Sequence, residues 1–207
     1  MKVIIINGSP HKEGTTARAL IEVSNELNKN GIETEIIAAG DKPVRGCIAC
    51  GACRKAGKCV FDGDIVNELA EKIKAADGLI IGSPVYYAAI NGTLKCVLDR
   101  LFFSSGAAFS FKPAAAVAVA RRAGTLTVFD EINKYFAISN MPVVSSTYWN
   151  NVHGANAADA EKDEEGLQTM RNLAKNMAWL IKSINAGKKE GVPLPETERG
   201  KRTNFIK

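Results

Sequence analysis

The sequence predicts an α/β fold built on a doubly wound, five-stranded parallel sheet in the order 2-1-3-4-5. Two patterns in the 207 residues carry that reading. Five short apolar runs alternate with five segments of helical periodicity, strand first. The runs are apolar throughout instead of alternating, so both faces of the sheet need helical cover. Right-handed crossovers then make this strand order the natural one.

The first strand is Val3–Ile6, a β-branched run that stops at Asn7-Gly8-Ser9-Pro10. A helix follows over Thr15–Lys29, with Ala17, Leu20, Ile21 and Leu27 on one face and Gly31 to close it. Ile32–Ala38 is the second strand, and a cysteine-rich loop fills 40–62. The next helix, Asp64–Ala76, repeats Ile65, Leu69, Ile73 and Ala76 at helical spacing and has Asp62 or Asp64 as its cap. Gly78–Gly82 is the buried third strand, Ser83–Ala89 a loop and Asn91–Phe103 a helix. Ala114–Ala120, whose small residues suit a crowded sheet centre, is the fourth strand. Leu126–Ile138 is a helix, Pro142–Ser146 the fifth strand and Glu164–Asn185 the last helix, with a stripe from Leu167 to Ile184.

Hydrophobic residues make up 46% and charged residues 24%, enough for one substantial core and no sign of global disorder. We expect one domain over 1–186 and an extended basic tail over 187–207, where six Lys/Arg face three Glu. The net charge of +5 is only mildly basic, so no nucleic-acid partner is expected. The N-terminus lacks the length and cleavage site of a signal peptide, and no apolar stretch reaches the roughly 18 residues of a membrane span. The expectation is a cytoplasmic protein with no membrane partner. In that reducing compartment, clustered cysteines bind metal or do redox chemistry more often than they form disulfides.

In sheets of this flavodoxin-like order, ligands sit beyond the carboxyl ends of the strands at the switch point. The first loop there, Gly8 to Ala17, brings glycines, hydroxyls and free amides to a helix N-terminus, a geometry that holds a phosphate. It is neither a Walker loop nor the dinucleotide G-x-G-x-x-G, and a monophosphate such as that of FMN fits it better. The alternative is an ordinary turn with Thr15 as N-cap. The second loop, Ser83 to Gly92, is stiffened by Pro84 and offers Tyr86 and Tyr87 to flank a flavin ring or a subunit interface. In the third loop, Arg121-Arg122-Ala123-Gly124, Gly124 allows close backbone approach, and an arginine can meet reduced flavin or a pyridine-nucleotide phosphate, or simply be solvated.

Cys47, Cys50, Cys53 and Cys59 form a C-x2-C-x2-C-x5-C run. Ferredoxin-type runs begin the same way, and here the fourth ligand is local. Zinc on the same thiolates and four free thiols are the rival readings; neither His11 nor His153 has zinc spacing relative to the run. Arg45, Lys55 and Lys58 would favour thiolates and offset a cluster's charge. Cys96 stands alone and reads as a small buried hydrophobe on a helix.

Gly8-Ser9-Pro10 with Gly14-Thr15-Thr16, Ser83-Pro84-Val85-Tyr86 with Leu94-Lys95 and Asp99-Arg100, and Ala120-Arg121-Arg122-Ala123-Gly124 resemble the NAD(P)H-dependent FMN reductase group. The cysteine run after the second strand resembles the motif of archaeal and bacterial iron–sulfur flavoproteins, as does Gly166-Leu167-Gln168-Thr169-Met170. The resemblance implies one FMN per subunit, a [4Fe–4S] cluster on the four cysteines near a flavin of the same or a neighbouring subunit, and a homodimer or homotetramer. The candidate flavin contacts are Ser9, His11, Gly14, Thr15, Thr16, Ala17, Pro84, Val85, Tyr86, Tyr87, Asn91, Arg121, Arg122 and Gly124. The function read from this is an FMN-dependent oxidoreductase fed by NAD(P)H or ferredoxin that relays electrons between FMN and the cluster. Flavin N5 does the chemistry, so no catalytic side chain is proposed; Tyr86, Tyr87 and Trp149 are candidates for shaping the pocket. The alternatives are a plain FMN or quinone reductase with free cysteines, a non-enzymatic electron carrier, and a thiol-based redox or metal-sensing module without FMN.

Overall fold

The computed structural model describes residues 1–198, 200, 201 and 203–205. Arg199, Arg202 and Lys207, counted in the basic tail, lie outside the described residues. The strands are β1 (Lys2–Asn7), β2 (Glu33–Ala38), β3 (Gly78–Pro84), β4 (Ala114–Ala120) and β5 (Asn151–His153). They form one parallel sheet in the order β2-β1-β3-β4-β5, with Ile5 of β1 opposite Ile36 on one side and Ile80 on the other.

The alternation of side chains divides the core in two. Val3, Ile5, Ile80, Val117 and Val119 face α1 (Thr15–Lys29) and, along the sheet, the long helix that closes the chain. Ile4, Ile6, Leu79, Ile81 and the small Ala114, Ala116 and Ala118 face the opposite layer. That layer holds α3 (Ile65–Ala75), α4 (Gly92–Ser105) and α5 (Thr125–Ile138), which follow the four-residue α2 (Cys53–Ala56) in the chain. Burial on both faces is the reason the strands read as unbroken apolar runs.

The fifth strand is displaced from its expected position. Val143 makes an isolated bridge with Ala114, where the Val144 N–H donates to the Ala114 carbonyl at 2.8 Å. The chain then leaves the sheet over 145–149 and returns as β5 at Asn151. The buried Asn150 makes this excursion possible: its Nδ2 donates to the Ala116 carbonyl at 3.1 Å and its own carbonyl accepts from Ala118 N–H at 2.9 Å. A side-chain amide thus replaces a missing strand partner.

Two helices follow β5, the four-residue α6 (Ala157–Ala160) and α7 (Glu164–Lys189). The last one continues three residues into the expected tail. Lys188 and Lys189 suit its carboxyl end, and Gly191, at φ +79°, turns the chain out of the helix. Cys96 is half-buried on α4, not fully buried as expected.

Candidate functional site

The chain ends of β1, β3 and β4 carry the three loops singled out in the sequence, and the structure brings these loops together. Ser9, His11, Gly14, Thr15 and Thr16 from the first, Pro84, Val85 and Tyr86 from the second and Arg121 from the third line one cavity of about 840 Å³. That size suits a cofactor.

The first loop is shaped by local hydrogen bonds. Ser9 N–H donates to Asn7 Oδ1 at 3.0 Å, and His11 N–H to Ser9 Oγ at 3.1 Å. Two side chains thereby set consecutive turns. Gly8 N–H donates to the Gly82 carbonyl at 2.8 Å. A Cβ on Gly8 would stand 2.4 Å from Leu94 Cδ2, so only glycine lets the loop approach this closely. Lys12 pairs with Asp41 at 3.2 Å, tying the loop to the chain that leaves β2.

Behind this loop α1 starts at Thr15, and no side chain caps it. Its first-turn N–H groups and the positive end of its dipole therefore lie at the wall that Thr15 and Thr16 form. Thr15 does not act as the N-cap; Gly14 holds that position. The Thr15 hydroxyl donates to the Gly154 carbonyl at 3.2 Å, and Thr16 is buried.

The second and third loops support each other. Val85 N–H donates to the Val119 carbonyl at 2.8 Å. Gly124, at φ +91°, leaves room for Val85, whose Cγ1 would be 2.9 Å from a Cβ there. Tyr86 and Ala89 exchange backbone hydrogen bonds, which puts Tyr87 fully exposed at a turn tip with a left-handed φ of +55°.

Five of the expected contacts do not line the cavity: Ala17, Tyr87, Asn91, Arg122 and Gly124. Ala17 is buried inside α1, Gly124 packs on Val85, and Asn91 caps α4 by accepting from Leu94 N–H at 3.1 Å. Trp149 lies on the excursion before β5, edge-to-face with Tyr148 at 4.9 Å, and also stands outside the lining. Conversely, Gly154, Ala155, Asn156 and Ala157 complete the wall without having been singled out. Placing the fifth strand too early hid them, because they lead from the true β5 into α6.

The cysteines form a separate place. Cys47, Cys50, Cys53 and Cys59 all line one narrow cleft of about 20 Å³ together with Phe61, Arg100 and Phe103. Ala49 and Gly51 both adopt left-handed backbone, which turns the chain on either side of Cys50. None of the five cysteines forms a disulfide; Cys47 and Cys50 are exposed, Cys53 half-buried and Cys59 buried. Zinc bonds of ~2.3 Å would need sulfurs roughly 3.8 Å apart in a tetrahedron. Among the described residues no three His, Cys, Asp or Glu are grouped tightly enough to hold a single ion.

Arg100 of α4 anchors this loop from within the core. It is 2% exposed, and its guanidinium donates to Asp64, to the Phe61 carbonyl at 2.6 Å and to Cys59 Sγ at 3.3 Å. Burial works against its charge, but the bonds to Asp64 and Cys59 prevail and raise its pKa. Arg45 stacks on the Phe61 ring at 4.1 Å. A second polar knot joins α4 to α5. Lys95 Nζ donates to Tyr135 Oη at 2.7 Å, and Tyr135 donates to Asp99. Burial, with that bond to Asp99, pushes the Tyr135 phenol up to about 12.

A parallel 2-1-3-4-5 sheet with its main cavity at the switch point defines a flavodoxin-like protein. Solved structures agree on the fold. The chain superposes on RosB, crystallised with 8-demethyl-8-formylriboflavin-5'-phosphate, with a TM-score of 0.71 at 16% identity over 100% of this chain and 92% of that one. A flavodoxin from the domain Archaea gives a TM-score of 0.61 at 15% identity over 88% of this chain and 99% of that one. Residues 1–156 match the family model of the NADPH-dependent FMN reductases. An iron-sulfur flavoprotein of Methanocaldococcus jannaschii is 39% identical over 192 residues, 89% of this chain and 99% of the relative. The chain belongs to the NADPH-dependent FMN reductase family and is a flavin-dependent oxidoreductase. Among the described residues no helix is long and apolar enough to cross a membrane.

Proposed function

We propose that this oxidoreductase binds FMN in the 840 Å³ cavity and a [4Fe–4S] cluster on Cys47, Cys50, Cys53 and Cys59, and passes electrons between them. The observation that carries the flavin half is the uncapped N-terminus of α1 at the cavity wall. An anion there would take the free amides, the dipole and the Thr16 hydroxyl. Val85 and Tyr86 would cover the ring, with Arg121 beside it as a positive charge. The cluster half is supported by four thiols on one cleft, by Arg100 at Cys59, and by the relative's name.

When bound, the flavin accepts a hydride or single electrons, and the cluster carries electrons singly. Among the described residues none lines both cavities; we place the relay across the interface of a homodimer or homotetramer. NAD(P)H or ferredoxin is the electron source, and the cytoplasm the compartment. The test is to release flavin by heat and to follow bleaching of the bound flavin with NADPH, NADH or reduced ferredoxin under anaerobic conditions. One FMN per chain, reduced by at least one of these donors, is expected. A chain that takes up no FMN from solution would refute the proposal.

A further inference from the structure

We propose that Arg100 is a positioning residue of the cysteine centre: its Nε–H donates to the sulfur of Cys59, fixes that ligand and favours the reduced cluster. The inference rests on the cluster half of the proposed function.

Cys59 differs from the other three cysteines in being buried, at 8% exposure. Asn67 of α3 grips its backbone from both sides: Cys59 N–H donates to Oδ1 at 3.1 Å, and Nδ2 donates to the Cys59 carbonyl at 2.9 Å. Its sulfur receives Arg100 Nε–H at 3.3 Å. The remaining edges of the guanidinium are taken. Nη1 reaches Asp64 and, at 3.4 Å, the Arg45 carbonyl, while Nη2 reaches Phe61. A planar fork held by three other hydrogen bonds has little freedom to swing its Nε–H off the sulfur. Asp64 also caps α3 by accepting from Val66 N–H at 3.1 Å, so carboxylate, guanidinium and sulfur are locked to two helices of the core.

An N–H aimed at a ligand sulfur draws electron density from it. The one-electron-reduced cluster carries an extra negative charge and gains more from that bond than the oxidised one. Hydrogen bonds to ligand sulfurs therefore raise the reduction potential. Asp64 balances the charge of Arg100, so the donated hydrogen bond, more than net charge, is the lever.

Two double variants isolate it. Arg100→Met with Asp64→Asn keeps the pair neutral, keeps a capping residue on α3 and removes the donor. Arg100→Gln with Asp64→Asn is equally neutral and places an amide N–H where Nε stood. Each protein is loaded anaerobically with iron and sulfide and its metal content measured. The midpoint potential is then read by EPR-monitored titration. The Met variant should hold as much iron as the wild type and reduce about tenfold less favourably, ~59 mV lower for one electron. The Gln variant should recover part of that shift. Equal midpoints in all three proteins would overturn the proposal, as would loss of the cluster from both variants, which would leave Arg100 a purely structural role. A wild type that takes up no iron would instead refute the cluster itself, and the inference with it, before any variant is compared.

Discussion

Thr16 and Gly124 show how single residues make the cavity. Thr16 is buried at the first turn of an uncapped helix and lines the cavity. Thr16→Val should weaken FMN binding by about tenfold with no loss of fold, since a hydrogen bond to a charged group contributes roughly 1.5–3 kcal/mol. Fluorescence-quenching titration of the apoprotein measures this. Gly124 is left-handed and lies against Val85. Gly124→Ala should cost about 1–3 kcal/mol in urea unfolding and also lower flavin affinity, because Val85 must move. The first loop of the cavity was legible from Gly8, Gly14, Thr15 and Thr16, since glycines and hydroxyls before a helix have a physical meaning in themselves. Asn91 was not, because a polar residue that opens a helix looks alike whether it meets a ligand or caps Leu94. Nor was Arg100 as the anchor of Cys59: its partners lie 36 to 55 residues away in sequence, and only packing reveals them.

Among the elements, helices were read closely and the last strand was not. The stripe on α7, Gly31 at the end of α1 and the Asp64 cap of α3 are local signals, and the helix bounds shift by a few residues at most. The edge strand β5 is three residues long and depends on Asn150, which pairs with β4 through its side chain. No periodicity announces such a device. Asn150→Ala should leave the Ala116 carbonyl without its partner and cost about 1–3 kcal/mol, as read by urea unfolding. A second test concerns α1 and α7, which Glu22 joins by accepting from Arg18 at 2.9 Å and from Arg171 at 2.6 Å. Burial opposes the charge of Glu22, but the two guanidiniums outweigh it and hold its pKa below the ordinary 4.5. A depressed folded pKa means that the stabilisation is fully present above pH 4.5 and fades as pH falls through the lower folded value. Unfolding free energy should therefore drop below that pH, and Glu22→Gln should flatten the drop while costing about 1 kcal/mol or less at neutral pH. An unchanged acid slope in the variant would show that other carboxylates carry it.

At the scale of the whole molecule, the sheet order followed from apolar strands and right-handed crossovers, both general constraints with few exceptions. The places of the large cavity and of the cysteine cleft followed from the same order, since one lies at the switch point and the other on the chain after β2. The relay requires both sites to be filled. The most direct test is the absorption spectrum of anaerobically purified protein, with flavin, iron and acid-labile sulfide measured on the same sample. We predict flavin bands over a broad iron–sulfur absorption, about one FMN per chain, and about four irons and four sulfides per chain, the content of one [4Fe–4S] cluster. Flavin bands without iron or sulfide, after reconstitution as well, would contradict the relay and leave a flavin reductase whose four thiols are free.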